Sequence, residues 1–208
     1  MRIVCMSDSH GRHGEILVPE GDVFVHAGDF SMRGQEKEVR AFGAFLRALP
    51  HRHKVVIAGN HDLAFESRPA EARAWLGEGC TYLECTGAIV GGLRFWGSPH
   101  TPRFFDWAFN VDRGPALARI WAGIPAETEV LVTHGPPHGL LDVVSRGGHE
   151  GCAELRAAVQ RVRPKLHVFG HIHEAAGEIE DSGTRFVNAC VLDERYRPAR
   201  GCTVVELP

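Results

Sequence analysis

Five short β-branched runs, each closing on a polar residue near a glycine, limit the folds open to this chain. They are RIVCM (2–6), DVFVHA (22–27), KVVIA (54–58), EVLVT (129–133) and KLHVFG (165–170). Runs of this length and make-up read as buried strands. Asp8 and His10 follow the first run and Asp29 the second; Asn60, His61 and Asp62 follow the third. His134 follows the fourth, and His171 and His173 follow the fifth. In α/β sheets the C-terminal strand edge is where ligands bind, because side chains from separate strands converge there without interrupting the core. A chain built this way carries a site assembled from distant segments.

Helical patterns fill some of the gaps. In residues 34–50, Val39, Phe42, Phe45, Leu46 and Leu49 share one face and Pro50 ends the helix. In residues 149–164, Leu155, Ala158, Val159 and Val162 do the same, with Pro164 as terminator. From about Gly177 the character changes. AGEIEDSGTRFVNACVL predicts a hairpin around a Ser-Gly turn, and GCTVVELP an edge strand. The chain has 208 residues, 44% of them hydrophobic, with no repeat or linker, so one α/β domain over 1–208 is expected.

The residue types at the strand ends suit divalent cations, which take carboxylate oxygen, imidazole nitrogen and amide oxygen. Asp8 and His10 sit two apart, as do His171 and His173, so each pair faces one side of an extended segment. Seven candidates emerge: Asp8, His10, Asp29, Asn60, His134, His171 and His173. That exceeds one tetrahedral site. If Asp29 bridges, the set divides into two sites of four ligands. Two carboxylates neutralise half the charge of two divalent ions, leaving a surplus for hydroxide and an anionic substrate. Taken singly each feature is weak: Asn-His-Asp is also an ordinary Asx-type turn, and Asp-Ser-His is also a helix cap. In this order and together they indicate a two-metal centre.

Bulk properties exclude other classes. A formal net charge of -3 offers no polybasic footprint for stable nucleic-acid binding or an anionic membrane. No stretch approaches a membrane span, and the first apolar run is too brief for a signal-peptide core. Six cysteines lie scattered without a C-x-x-C pair, which predicts reduced thiols and a cytoplasmic location. Among the remaining histidines, His26 and His167 are expected as hydrogen-bonded core groups, and His51, His53 and His149 as exposed. His13, His100 and His138 are expected to pack in loops, and Cys5 and Cys190 simply to pack. Residues 96–114 concentrate Trp96, Phe104, Phe105, Trp107 and Phe109 among Arg103, Asn110 and Arg113. This segment reads either as a lip over the metals, with a polar side chain on phosphate, or as a loop whose aromatics fill a satellite core.

The ordered set D-x-H, G-D, G-N-H-D, T-H-G-P-P and G-H-x-H, spanning Asp8 to His173, resembles the calcineurin-like metallophosphoesterase superfamily. VIAGNHDL, THGPP and VRPKLHVFGHIHE more closely resemble its metallophosphoesterase-domain-containing (brain protein 239-like) branch. The resemblance implies a four-layer α/β/β/α sandwich of two mixed sheets flanked by helices, as a single metallophosphoesterase domain. It assigns Asp8, His10, Asp29 and His173 to one metal, and Asp29, Asn60, His134 and His171 to the other. His61 would be the general acid or a cationic clamp on the leaving oxygen, with Asp62 orienting its imidazole. The implied activity is a dimetal-dependent phosphoesterase, foremost a phosphodiesterase acting on phosphodiesters such as 2′,3′-cyclic nucleotides, through in-line attack by a metal-bridging hydroxide. A phosphomonoesterase shares every motif, and a low-turnover nucleotide-binding regulatory module is the alternative from another class. Retention of all seven ligands favours turnover. The cofactors would be two divalent ions, manganese first, with iron, zinc, nickel or cobalt also compatible, and the partner a small phosphodiester or nucleotide.

Overall fold

The computed structural model describes residues 1–208. In chain order its strands are β1 (Arg2–Met6), β2 (Val23–Ala27), β3 (His53–Ile57), β4 (Thr81–Tyr82), β5 (Thr86–Val90) and β6 (Leu93–Ser98). They continue as β7 (Thr101–Pro102), β8 (Asn110–Val111), β9 (Val130–Thr133), β10 (Leu166–Phe169), β11 (Gly177–Asp181), β12 (Thr184–Asn188) and β13 (Thr203–Glu206). The helices are α1 (Glu36–Ala48), α2 (Leu63–Ser67), α3 (Pro69–Leu76), α4 (Pro115–Ala122) and α5 (Ala153–Val162).

Two mixed sheets form, in the orders β13-β1-β2-β3-β4 and β11-β12-β10-β9-β6-β5. The strand period of two sorts their residues into layers. Ile3 and Cys5, Val23 and Val25, and Val55 and Ile57 turn inward and meet Val130, Val132, Leu166 and Val168 of the other sheet. Their neighbours Val4, Phe24 and Val56 turn outward under α1 and α3. On the far side Leu131, Phe169 and Phe186 pack beneath Leu117 and Trp121 of α4 and Leu155 and Val159 of α5. Branched aliphatic side chains therefore line the sheet–sheet layer, and larger rings sit beneath the helices. The result is an α/β/β/α sandwich.

Local chemistry accounts for the elements. Gln35 and Glu38 cap the start of α1 reciprocally, and Val39, Phe42 and Leu46 bury its apolar face. Cys152 Sγ accepts the Leu155 N–H to start α5, whose four expected apolar residues are all buried. The C-terminal hairpin turns at Ser182-Gly183, with φ +53° and +79°, the sign that a two-residue hairpin turn demands. Two histidines differ from expectation: His51 is buried against Phe24 rather than exposed, and His53, the first residue of β3, is half-buried. No helix is long and apolar enough to cross a membrane.

Candidate metal centre

The strands β1, β2, β3, β9 and β10 all end at the same rim, where the two sheets adjoin. The chain turns sharply there. Asp8, His10, Asp29 and His171 take φ of +56°, +42°, +56° and +71°, a left-handed conformation that non-glycine residues adopt at a cost of about 1–3 kcal/mol each. Backbone bonds hold the strain: Asp8 N–H donates to the Gly28 carbonyl at 3.0 Å and His10 N–H to the Asp29 carbonyl at 2.9 Å. Gly170 shows why a glycine precedes the candidate ligands after β10. A Cβ there would overlap Asp8 Oδ2 and Ser7 Oγ.

The seven sequence-predicted ligands come together at this rim. Asp8 Oδ2 accepts from Ser7 Oγ at 2.5 Å, the His171 N–H at 2.9 Å and Cys190 Sγ at 3.2 Å. Its Oδ1 is buried without a hydrogen-bond partner and faces His173 Nε2 at 3.3 Å. Asp29 Oδ1 accepts the His61 N–H at 2.8 Å, while Oδ2 lies 3.8 Å from His10 Nε2 and 3.4 Å from His134 Nε2. That oxygen thus stands between the two expected ligand sets, as a bridge would. His10 Nε2 and His173 Nε2 face each other at 3.3 Å, and His134 Nε2 faces Asn60 Oδ1 at 2.9 Å. The His171 ring lies 5.0 Å from that of His134. Inward-facing ring nitrogens, an orphaned buried carboxylate oxygen and an amide oxygen are a donor set that fits divalent cations. Second contacts fix the rings, with His134 Nδ1 donating to the Ala27 carbonyl and His173 Nδ1 to that of Asp193, both at 2.9 Å.

The electrostatics point the same way. Burial opposes ionisation of Asp8, yet the bond from His173 and the charge of His134 hold its carboxyl well below the usual range. Burial likewise opposes ionisation of Asp29, and His134 and His10 outweigh it. Burial lowers His134, but Asp29 and Asp8 override it and raise the imidazole to about 9. His173 rises to about 9 in the same way, through Asp8. Burial wins at His10 and His171, which fall to about 4. Two buried carboxylates therefore draw positive charge into the cluster, and without cations two imidazolium groups supply it.

His61 and Asp62 part company. His61 sits 4.6 Å, ring to ring, from His10, and its Nδ1 bonds the Met32 carbonyl at 3.0 Å. Trp107 stacks on it at 4.1 Å, with Arg33 5.2 Å from the indole. Asp62 does not orient this ring, contrary to expectation. Its carboxylate accepts from the N–H groups of Asp29, Ser31 and Gly59 and from Ser31 Oγ, between 2.6 and 3.0 Å. The turn closed by the Asp62 N–H on the Gly59 carbonyl, just before α2, brings Asp62 back to the loop after β2. Burial and the Asp29 charge push its carboxyl up to about 8, against the pull of those donors.

Other residues were invisible as site components. A cleft of about 170 Å³ opens onto the cluster, and Glu174, Glu194 and Tyr196 help form its rim. The Tyr196 ring lies 4.7 Å from that of His10. Glu194 and Tyr196 belong to a polar stretch with no period, so no pattern marked them. Cys190 does more than pack: burial and Asp8 push its thiol well up, so it stays a proton donor to Asp8. The segment 96–114 divides between its two readings. Trp96 and Phe109 are core, whereas Phe104 and Trp107 reach the site. Asn110 spends both amide hydrogens on the carbonyls of Phe104 and Phe105, and Arg113 is anchored on those of Glu150 and Gly151, outside the cleft over the cluster. His26 bonds Ser9 and His167 bonds Thr133, as core groups. His149 holds Asp142 at 2.6 Å, and His13 packs between Phe42 and Phe45.

The family model of calcineurin-like phosphoesterases matches residues 1–175. Metallophosphoesterase domain-containing protein 1 of Homo sapiens is 42% identical over 231 aligned residues, covering 100% of this chain and 71% of that protein. A UPF0046 protein of Caenorhabditis elegans is 39% identical, covering 100% of this chain and 81% of its own length. TT1561 of Thermus thermophilus, a solved structure, shares the fold with a TM-score of 0.54 and 14% identity, over 90% of this chain and 88% of that one. Sandwich and ligand cluster together are those of a metal-dependent hydrolase of phosphate esters. The chain belongs to the calcineurin-like phosphoesterase family.

Proposed function

We propose that the chain is a phosphodiesterase, with 2′,3′-cyclic nucleotides within its substrate class. The charge of the cleft carries this reading. Beyond the metal ligands, Glu174 and Glu194 line it, and neither lysine nor arginine does. At neutral pH a phosphate diester carries one negative charge, whereas a monoester, with its second pKa near ~6, carries close to two. Two carboxylates at the mouth disfavour the second charge and leave the diester acceptable.

In this reading Asp8, His10, Asp29 and His173 hold one cation, manganese by preference, and Asp29, Asn60, His134 and His171 the other. When bound, the pair supplies Lewis acidity to phosphoryl oxygens and activates water for in-line displacement. His61 donates a hydrogen bond from its Nδ1–H to the Met32 carbonyl, which leaves Nε2 as the nitrogen for the cleft that His61 lines. A proton held there passes to the departing alcohol oxygen. Trp107 fixes the plane of the imidazole and Asp62 fixes the loop that carries Asp29. Residues 1–208 act as one metallophosphoesterase domain, since both sheets share the inner layer. All six cysteines are unpaired, which agrees with a cytoplasmic setting.

The test is a comparison of bis(p-nitrophenyl) phosphate with p-nitrophenyl phosphate on protein stripped by chelator and refilled with manganese. The diester is expected to show about tenfold higher kcat/KM, the equivalent of ~1.4 kcal/mol of like-charge repulsion. Preference for the monoester overturns the reading. Nucleotide binding without hydrolysis supports a regulatory module instead.

A further inference from the structure

Beside the metal cleft lies a second one of about 230 Å³, and the two share Phe104, His171 and Glu174. Their charge differs. Arg103, Arg113 and Arg146 line the second cleft, whereas no basic side chain other than histidine lines the first. Arg113 commits its terminal nitrogens to the Glu150 and Gly151 carbonyls, both at 2.8 Å, and so is a fixed charge. Arg103 donates Nε to Asp112 at 2.6 Å and Arg146 donates to Glu150 at 2.8 Å, and each keeps other N–H groups without a protein partner. Their side chains are 55% and 76% exposed, so these pairs are weak and an incoming anion competes with them. Phe104 stands between the clefts, 49% exposed, its ring 6.1 Å from that of His171. It offers a face on which a planar base stacks. Gly135 and Pro136, directly after the metal-ligand candidate His134, complete the wall, so the second cleft is tied to the cluster by one short segment.

We propose that this second cleft is a subsite for the far part of a phosphodiester that bears another phosphate, namely a dinucleotide with a terminal phosphate. The proposal rests on the diesterase reading above. The scissile diester, a monoanion, lies at the acidic-rimmed metal cleft; a base lies on Phe104; the terminal phosphate lies at Arg103 and Arg146. Glu150 and the shared Glu174 also line the second cleft, but three arginines outnumber them there, so a second anion is accepted one cleft further on, away from Glu194. The hydrolysis itself is unchanged: one P–O ester bond breaks, water supplies the oxygen of the new P–O bond, and the leaving oxygen takes a proton.

The experiment uses the manganese-loaded protein and three diesters: bis(p-nitrophenyl) phosphate, a dinucleoside monophosphate, and the same dinucleotide phosphorylated at its 3′ or 5′ end. KM for one phosphorylated form is expected to be about fivefold lower than for the unphosphorylated dinucleotide, as two exposed charge-assisted contacts allow. The double variant Arg103→Ala/Arg146→Ala is expected to abolish that ratio, and Arg103→Lys/Arg146→Lys to restore part of it. Cleavage of the chromogenic diester with no preference between the dinucleotides, with neither cleaved, or with a preference that survives the alanine pair, overturns the subsite alone. Failure to cleave any of the three overturns the diesterase reading and the subsite with it.

Discussion

His61 and Asp62 are adjacent in the chain and serve different structures. The imidazole is oriented by a main-chain carbonyl, that of Met32, while the carboxylate is consumed by three N–H groups from two segments. Each substitution therefore has its own expected outcome. His61→Ala is expected to keep its metal, by elemental analysis, and to lose about 100- to 10,000-fold in rate, the usual scale for general acid–base catalysis. Asp62→Ala strands buried donors at Asp29, Ser31 and Gly59, at ~1–3 kcal/mol each before relaxation. It is expected to lower the melting temperature by several degrees and to reduce metal content, because the Asp29 loop loses its anchor. An Asp62→Ala protein with unchanged melting temperature and full metal would show that the Asp29 loop holds its shape without this carboxylate.

At the scale of elements, the site is a property of how strands stop. Four of the candidate ligand residues leave their strands in the left-handed conformation, and glycines make room for their side chains. Gly170→Ala tests this directly, since its Cβ would occupy the space of the Asp8 carboxylate. The variant is expected to lose about 1–3 kcal/mol of stability in urea titration, the range for overpacking, and to bind metal poorly. Full metal occupancy would show that Asp8 has room to move. Legibility followed length and period. Helices α1 and α5 repeat their apolar residues over several turns and could be read, but α2 and α3 break at Arg68-Pro69 after one or two turns and left no period. The β5–β6 hairpin turns on Gly91-Gly92, with Ile89 exposed on an edge strand, so its alternation is weak.

The whole molecule stores titratable groups of opposite tendency, which sets its stability against pH. His26 and His167 are fully buried, and burial holds both down to about 3. Unfolded, each titrates near ~6.5. Below that pH the unfolded chain binds protons that the folded chain refuses, so stability falls as pH drops from 6.5 towards 3, by up to ~1.4 kcal/mol per unit for each group. His134 and His173, where burial is outweighed by carboxylates, hold their protons up to about 9 in the metal-free fold. Between 6.5 and 9 the folded chain keeps protons that the unfolded chain has lost, so stability falls again as pH rises. Metal-free protein is expected to be most stable near pH 6.5. If metal makes both imidazoles neutral ligands, their part of the alkaline decline is expected to disappear, leaving that of Asp62 up to about 8. Urea midpoints from pH 4 to 9, with and without manganese, measure both limbs. Equal stability of the stripped protein at pH 6.5 and 9 would place the extra protons elsewhere.

The chemistry of the candidate ligands was determined by the sequence alone, because each sits shortly after a strand whose alternation is local and whose end is marked by glycine. The same alternation separates Val23 and Val25 from Phe24, one pair to a layer and the ring to the next. Only the tertiary structure decided what surrounds those candidate ligands. The partner of Asp62, the thiol of Cys190 on Asp8, the acidic rim at Glu174 and Glu194, and the arginine-lined cleft beyond Phe104 all join segments far apart in the chain. Such pairings depend on which sheet edge each loop crosses, and a period of two or of 3.6 residues carries no information about that.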